Sequence, residues 1–497
     1  MCCETLNTGI TQEAGLKPSL LLKLELFQEL YGTVIFMRGE PDSWLSDNMK
    51  LARTTEMRYL EHYYELKGSQ LLVLYGQKRV GKTTLVREFM KDKPYTYLYA
   101  RPCSERELQY EWGRELRLEE DYPAYDNIFF SMTQESVNKQ IIVIDEFQNA
   151  IHAGDSFMEA LTSFMHNEWN NQPVFIILIS SAIGWIENTM VSKIGKAAYE
   201  ISGFLKIKEF GFRELEQYFA YGNKEESVKT YSVLGGIPGY WELFDHSKDF
   251  KQNICDNLIH RNSFLHDEAN HLVEAELRET NVYHAILAAI AAGRYKLNEL
   301  HLHTGFSRAK ISVYLKNLME LEIVEKVFSF ETAGKDNTMK GIYRITSPLV
   351  HFYFRFLYPH FSELEMLKPE VFYERYIEPE LDSYVEEHFK KACQSILNEM
   401  NEHERLPIHI DEYGEWVGKV GNIHYIGQNE AGSYLISYAN WEKPVFDYSD
   451  YEWLLFCCEK AKITADYVYI FNRGKFDQKL LEAGKFKENL HLINLKR

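Results

Sequence analysis

Residues 71–84, LLVLYGQKRVGKTT, constrain this chain more than any other stretch. Five apolar residues run into Gly76, four residues follow, and Gly81, Lys82, Thr83 and Thr84 close the pattern. A strand, a glycine-bounded turn and a helix start in that order read as a phosphate-binding loop. Gly76 and Gly81 let the backbone turn tightly, so that the N–H groups along Gln77, Lys78, Arg79 and Val80 point inward at phosphate oxygens. Lys82 supplies a compact positive charge for the outer phosphates, and the Thr83 hydroxyl is placed to ligate Mg²⁺. The helix beginning at Thr83 and Thr84 adds the positive end of its dipole. The alternative is a plain strand-to-helix turn, which would not need the lysine and threonine at these positions.

A second apolar strand, QIIVIDEFQ at 140–148, ends in two acids. In a doubly wound parallel sheet the chemistry gathers at the carboxyl ends of the strands. That places Asp145 beside the loop, where it can hold Mg²⁺ through water, and Glu146 next to it, where it can orient or deprotonate an attacking water. Two acids closing a strand also resemble a helix N-cap, so the pair gains its meaning from the loop upstream. A third strand, FIILISS at 175–181, ends in two serines. Ser180 or Ser181 can touch the γ-phosphate or its water, or can simply cap the strand; Ser181 is the catalytic candidate of the two.

At 497 residues the chain calls for two to four domains. With 45% hydrophobic and 26% charged residues it is globular. No apolar run is long enough to cross a membrane, and the early stretch at 20–27 carries internal charges that a signal peptide would lack. Seven cysteines without metal-ligand spacing suit free or buried thiols in a reducing cytoplasm. A net charge of −18 repels nucleic acid, so any DNA contact requires a local basic patch.

The pattern divides the chain into an N-terminal extension at 1–50, a P-loop core at 51–222, a helical lid with a winged helix at 223–347, a connector at 348–378 and a last unit at 379–497. Within the core, helices are expected at 57–66, 83–90, 105–117 and 125–138, with strands at 95–100 and 199–207. GGIP at 235–238 breaks the helical pattern: two glycines permit unusual backbone angles, and Pro238 stiffens the exit. Helices at 296–304 and 307–318, followed by strands at 323–330 and 340–345, read as a helix-turn-helix with a wing. The second helix offers Ser307, Arg308, Lys310, Ser312 and Lys316 to phosphates and base edges, but Glu320, Glu322 and Glu325 follow closely. DNA is thus one candidate partner and pure packing the other. The aromatic run HFYFRFLY at 351–358 is expected to pack in a core. The last unit reads as a helix at 381–400, strands at 415–420, 423–427, 433–438, 467–471 and 490–493, and helices at 452–460 and 475–483.

These motifs, in this order, resemble the archaeal-type AAA-related P-loop ATPases that lie near the signal-transducing STAND branch. The resemblance rests on YGQKRVGKTT at 75–84, VIDEFQ at 143–148, LGGIP at 234–238, the aromatic stretch 343–356 and GEWVG at 414–418. It implies ATP and Mg²⁺ as ligands, ATP hydrolysis, and a nucleotide-sensing role for the turn at Gly236 and Pro238. Homo-oligomers are a further expectation. Where such chains often carry Gly-Arg, this one has Gly195-Lys196, which keeps the charge but loses the planar fork. The last unit resembles a restriction-endonuclease-like domain whose acids and lysine fall here at Lys390, His424, Tyr438 and Asn440. Without those carboxylates little can hold Mg²⁺, so nuclease chemistry is not expected. Two functions stay open: a nucleotide-driven switch that hydrolyses ATP, and a DNA-binding regulator in which ATP is structural.

Overall fold

A computed structural model describes residues 53–132, 139–167, 173–220, 222–274, 277–330 and 341–495. The expectations for 1–50, for the end of the 125–138 helix and for the wing tip at 331–340 fall outside these residues. The chain divides into two compact units, Met1–Lys208 and Glu209–Arg497.

The first unit is a five-stranded parallel sheet in the order β2-β3-β4-β1-β5. Its strands are β1 (Gln70–Tyr75), β2 (Tyr95–Tyr99), β3 (Gln140–Asp145), β4 (Val174–Ser180) and β5 (Gly203–Lys206). The near-continuous apolar runs of β1, β3 and β4 are explained by this order, since the central strands of a parallel sheet are covered on both faces. Leu72, Val73, Ile142, Val143, Ile176 and Ile177 are all fully buried. Tyr75 stands opposite Ser180, and Asp145 opposite Ile179. The carboxyl ends of β1, β3 and β4 therefore finish along one edge of the sheet.

The fifth strand is shorter than the expected 199–207. The Leu71 N–H donates at 3.1 Å to the Ser202 hydroxyl, so a side chain begins this edge before the regular ladder starts at Gly203. Gly195–Glu200 forms a tight helical turn in place of the expected strand start.

In the second unit, Ser307 caps the Arg308–Glu320 helix by accepting the Lys310 N–H, and Gly305 turns with φ 74° after the preceding helix, Leu297–Thr304. A two-stranded antiparallel ribbon follows: β6 (Val324–Val327) is shorter at both ends than expected, and β7 (Ile342–Ile345) starts later but ends at the expected residue. The aromatic run packs inward as its composition suggests. Phe352 and Phe356 lie against Tyr384, whose hydroxyl donates to the carbonyls of Ser232 and Pro348, each at 2.9 Å.

Beyond the Leu381–Glu402 helix stands a mixed sheet in the order β14-β12-β10-β9-β8. Its strands are β8 (Glu412–Val417), β9 (Asn422–Gln428), β10 (Tyr434–Asn440), β12 (Tyr467–Asn472) and β14 (Leu490–Asn494). β8 begins before the expected 415, because a register shift between Gly414 and Trp416 lets it pair further along β9. The helix expected at 475–483 starts later, at Gln478. Lys475–Phe476 (β13) instead pairs with Val445–Phe446 (β11), and Asp477 caps the helix by accepting the Leu480 N–H at 2.8 Å. No helix among the described residues is long and apolar enough to cross a membrane.

Candidate active site

The loop between β1 and the Lys82–Met90 helix is held in place by close approach. A Cβ on Gly76 would lie 2.4 Å from the Ile207 carbonyl oxygen, so this position must be glycine. Arg79 at φ 62° and Gly81 at φ 99° are both left-handed, a backbone that turns N–H groups towards a common concavity. Lys78, Arg79 and Thr84 are exposed, whereas Val80 is buried beneath the loop. Lys82 is buried, and its ammonium donates to the carbonyls of Gly76 and Gln77, each at 2.8 Å. Burial pushes the Lys82 ammonium down to about 8, against the opposing pull of Glu146 and Asp145.

Asp145 is buried at the end of β3. Its Oδ2 accepts from the Thr83 hydroxyl at 2.9 Å and from the Tyr97 hydroxyl at 2.6 Å, and its Oδ1 accepts the Glu146 N–H at 2.9 Å. Thr83 and Asp145, expected together from sequence, are therefore in contact. Their oxygens are the hard donors that Mg²⁺ prefers, so the residues present fit that ion.

Glu146 has φ 53°, an uncommon backbone angle for a side chain of this size. Its Oε2 accepts three hydrogen bonds: from the Ser181 N–H at 3.1 Å, the Ser181 hydroxyl at 2.8 Å and the Gln148 amide at 2.6 Å. Ser181 thus grips the carboxylate, a role beyond the two weighed from sequence. Ser180 is buried and accepts the Ala182 N–H at 3.1 Å, as a strand-end cap does.

A family profile described as an ATPase domain predominantly from archaea matches residues 51–244. Residues 51–244 belong to that family. The ATPase domain is followed by a second match, at 353–448, to archaeal and bacterial proteins of unknown function. An uncharacterised protein of Methanocaldococcus jannaschii is 27% identical over 392 residues, covering 77% of this chain and 85% of its own length. An uncharacterised ATP-binding protein of the same organism is 31% identical over 64 residues, which are 13% of this chain and 85% of that protein. Among solved structures, the Walker-type ATPase of Pyrococcus abyssi is similar at 19% identity and TM-score 0.46, covering 65% of this chain and 100% of that one.

Three residues of the ATPase domain escaped the sequence reading. Arg53 is buried just ahead of the Thr54–Glu65 helix and donates to the Val80 carbonyl at 3.1 Å and the Lys208 carbonyl at 2.7 Å, bracing the loop from behind. Tyr97 donates to Asp145, and burial, with that hydrogen bond, keeps its hydroxyl protonated far above the usual range. Gln148, the last residue of the 143–148 motif, donates to the Glu146 carboxylate. A tyrosine two residues before the end of a strand beside β3 was a usable signal, because side chains alternate along a strand.

Lys196 is exposed, one residue after Gly195 at φ 56°, while neighbouring Lys193 pairs with Asp155 at 3.2 Å. Pro238 belongs to the second unit, where it opens the short Pro238–Trp241 helix. The glycine before Ile237 is required there: a Cβ on Gly236 would lie 1.9 Å from the Phe210 carbonyl oxygen.

The four positions expected to have lost nuclease chemistry sort differently. His424 stacks on Tyr438 with centroids 4.1 Å apart, and Lys390 shares a cavity wall with His424. Asn440 is turned to other work, donating to the Asn472 side chain at 2.7 Å and the Lys443 carbonyl at 2.8 Å. Among the described residues no group of three or more His, Cys, Asp or Glu side chains is placed to hold a metal ion.

Proposed function

We propose that this chain binds ATP with Mg²⁺ and hydrolyses it, acting in the cytoplasm as a nucleotide-dependent switch of the AAA/STAND type. The observation that carries the reading is the Glu146 carboxylate, one residue beyond Asp145 and fixed by three hydrogen bonds at the sheet edge where the loop begins. In this reading the loop amides and the Lys82 ammonium take the phosphates, and Thr83 with Asp145 holds the ion. When bound, Mg²⁺ neutralises phosphate charge. Glu146 takes the proton of the attacking water, and Ser181 and Gln148 keep the carboxylate aimed. Lys82 exchanges its two carbonyl partners for phosphate oxygens, a charge-assisted bond stronger than either. Pro238 and the turn before it are the nucleotide sensor, and the modules 51–222, 223–347, 348–378 and 379–497 are the moving parts.

Glu146→Gln tests this: the variant should bind ATP within about threefold of the parent while releasing phosphate at least about 100-fold more slowly. Equal phosphate release from the two proteins would remove Glu146 from the role.

A second reading makes DNA the partner of the winged helix. Lys316 is largely solvent-exposed and Val313 is 58% exposed on the Arg308–Glu320 helix, so an outer face is open. Against it, Arg308 donates to Asn298 and Lys310 lies 3.7 Å from Glu279. DNA affinity that is unchanged by Lys82→Ala, with and without ATP, would favour a regulator in which the nucleotide is structural. We assign no nuclease chemistry to residues 379–497, and cleavage of DNA in Mg²⁺ or Mn²⁺ would overturn that assignment.

A further inference from the structure

A cavity of about 650 Å³ in the second unit is walled by the β6–β7 ribbon, the Leu381–Glu402 helix and the start of β9. Its size suits a nucleotide-sized molecule. Three groups on its walls offer hydrogen-bond donors. Lys390 has neither a hydrogen-bond nor an ion-pair partner among the described residues. Arg344, on β7, pairs with Glu415 through one guanidinium nitrogen, which leaves further N–H donors in the fork. The His424 ring accepts the Ala439 N–H on Nδ1 at 3.2 Å, so its neutral form carries the proton on Nε2.

These three groups repel added positive charge and invite negative charge. Burial holds the Lys390 ammonium below its ordinary range, and the nearby Arg344 pushes the same way, against the pull of Glu415 and Glu387. Burial pushes His424 down to about 3, with Lys390 and Arg344 adding to the effect. A buried ammonium without a bonded partner beside a guanidinium is costly at low dielectric, and an anion between them relieves it. Three of the four acids in the walls already serve other partners. Glu415 holds Arg344, Glu387 accepts the Tyr295 hydroxyl at 3.0 Å, and Glu299 accepts the N–H groups of Tyr295 and Lys296. Glu325 sits opposite Arg344 across the ribbon.

We propose that this cavity binds a phosphorylated small molecule, its phosphate seated among Lys390, Arg344 and His424. The ligand would tie the wing ribbon, which carries Arg344, to the helix and sheet that carry Lys390 and His424. The site is independent of the ATP reading, because no residue of the loop contributes to it.

The test uses the full chain carrying Lys82→Ala, so that the loop does not compete for phosphate, titrated calorimetrically with AMP and with ribose 5-phosphate. Saturable binding of one molecule per chain is expected. Adding Lys390→Met should weaken it about tenfold or more. His424→Phe, which keeps the ring stacked on Tyr438 but removes the donor, should weaken it severalfold. AMP binding more tightly than ribose 5-phosphate would identify a nucleotide, and equal affinities a sugar phosphate; either supports the site. No saturable binding of either probe up to about 10 mM, or affinity unchanged by both substitutions, overturns it. So does a 5′-phosphorylated oligonucleotide that binds through Lys390 where AMP does not.

Discussion

Two regions of this molecule gather charge, and they do so with opposite materials. At the ends of β1 and β3 the Lys82 ammonium shares its surroundings with two carboxylates, and those carboxylates are held by Thr83, Tyr97, Ser181 and Gln148. In the second unit the Lys390 ammonium shares a cavity with the Arg344 guanidinium and a neutral His424. The first arrangement is the one we propose for a phosphate together with its cation. The second offers donors to an anion, and three of the four glutamates in its walls, Glu299, Glu387 and Glu415, already serve other partners. The same residue type, a buried lysine, thus means different chemistry according to which oxygens accompany it.

The largest effect expected is at Asp145, the acid proposed to hold the metal. Asp145→Asn should lower ATP hydrolysis about 1,000-fold and abolish the dependence of ATP affinity on Mg²⁺, read by titrating ATP with and without the ion. Retained Mg²⁺ dependence would break the contrast between the two regions, because the oxygen set would then not be what selects the cation.

Acid should act next, and on the second unit. Burial pushes His351 down to about 4, so the folded unit binds fewer protons than the unfolded chain from pH 6.5 downward. The stability is therefore complete above about pH 6.5 and is lost as pH falls towards about 4. His351 alone contributes about 1.4 kcal/mol per pH unit in that window. His388, hydrogen-bonded to it at 2.8 Å and also driven down by burial, acts in the same direction. Thermal melts from pH 7 to about pH 4 should show the second unit weakening, and a pH-independent melt would contradict the neutral-histidine picture.

Arg53→Ala leaves the Val80 and Lys208 carbonyls and the Glu56 carboxylate without that partner, and should cost about 2 kcal/mol of stability in the first unit. Equilibrium unfolding measures it. Smallest is Ser181→Ala, which removes the hydroxyl but leaves the backbone N–H on Glu146. It should lower kcat about tenfold with little change in KM, the signature of a residue that positions another.

The contrast also explains what could be read from the sequence. The first site is almost contiguous: Gly76 to Thr84 in one loop, Asp145 and Glu146 adjacent, Ser181 at the next strand's end. Apolar strands with polar ends announce such a site, and the structure brings Thr83, Asp145, Glu146 and Ser181 into contact. What escaped were long-range supports. Arg53 lies 27 residues before the carbonyl it braces, and nothing local in its sequence shows that partner. The second site was visible only as missing chemistry at Lys390 and His424. Its positive content comes from Arg344, which lies on a different strand and reaches the cavity only through the fold. Element ends were misread for local reasons: Ser202 replaced a ladder bond in β5, and Asp477 capped a helix where β13 had already begun.

In the proposed function everything depends on Lys82 and the loop amides gripping a nucleoside triphosphate. Equilibrium titration of the parent and of Lys82→Ala with ATP and Mg²⁺ tests it most directly. The parent should bind one ATP per chain, with affinity weakened about 100-fold in the variant, since a buried charge-assisted contact is lost. No detectable affinity of the parent for any nucleoside triphosphate at millimolar concentration, or equal affinity of the two proteins, would contradict it.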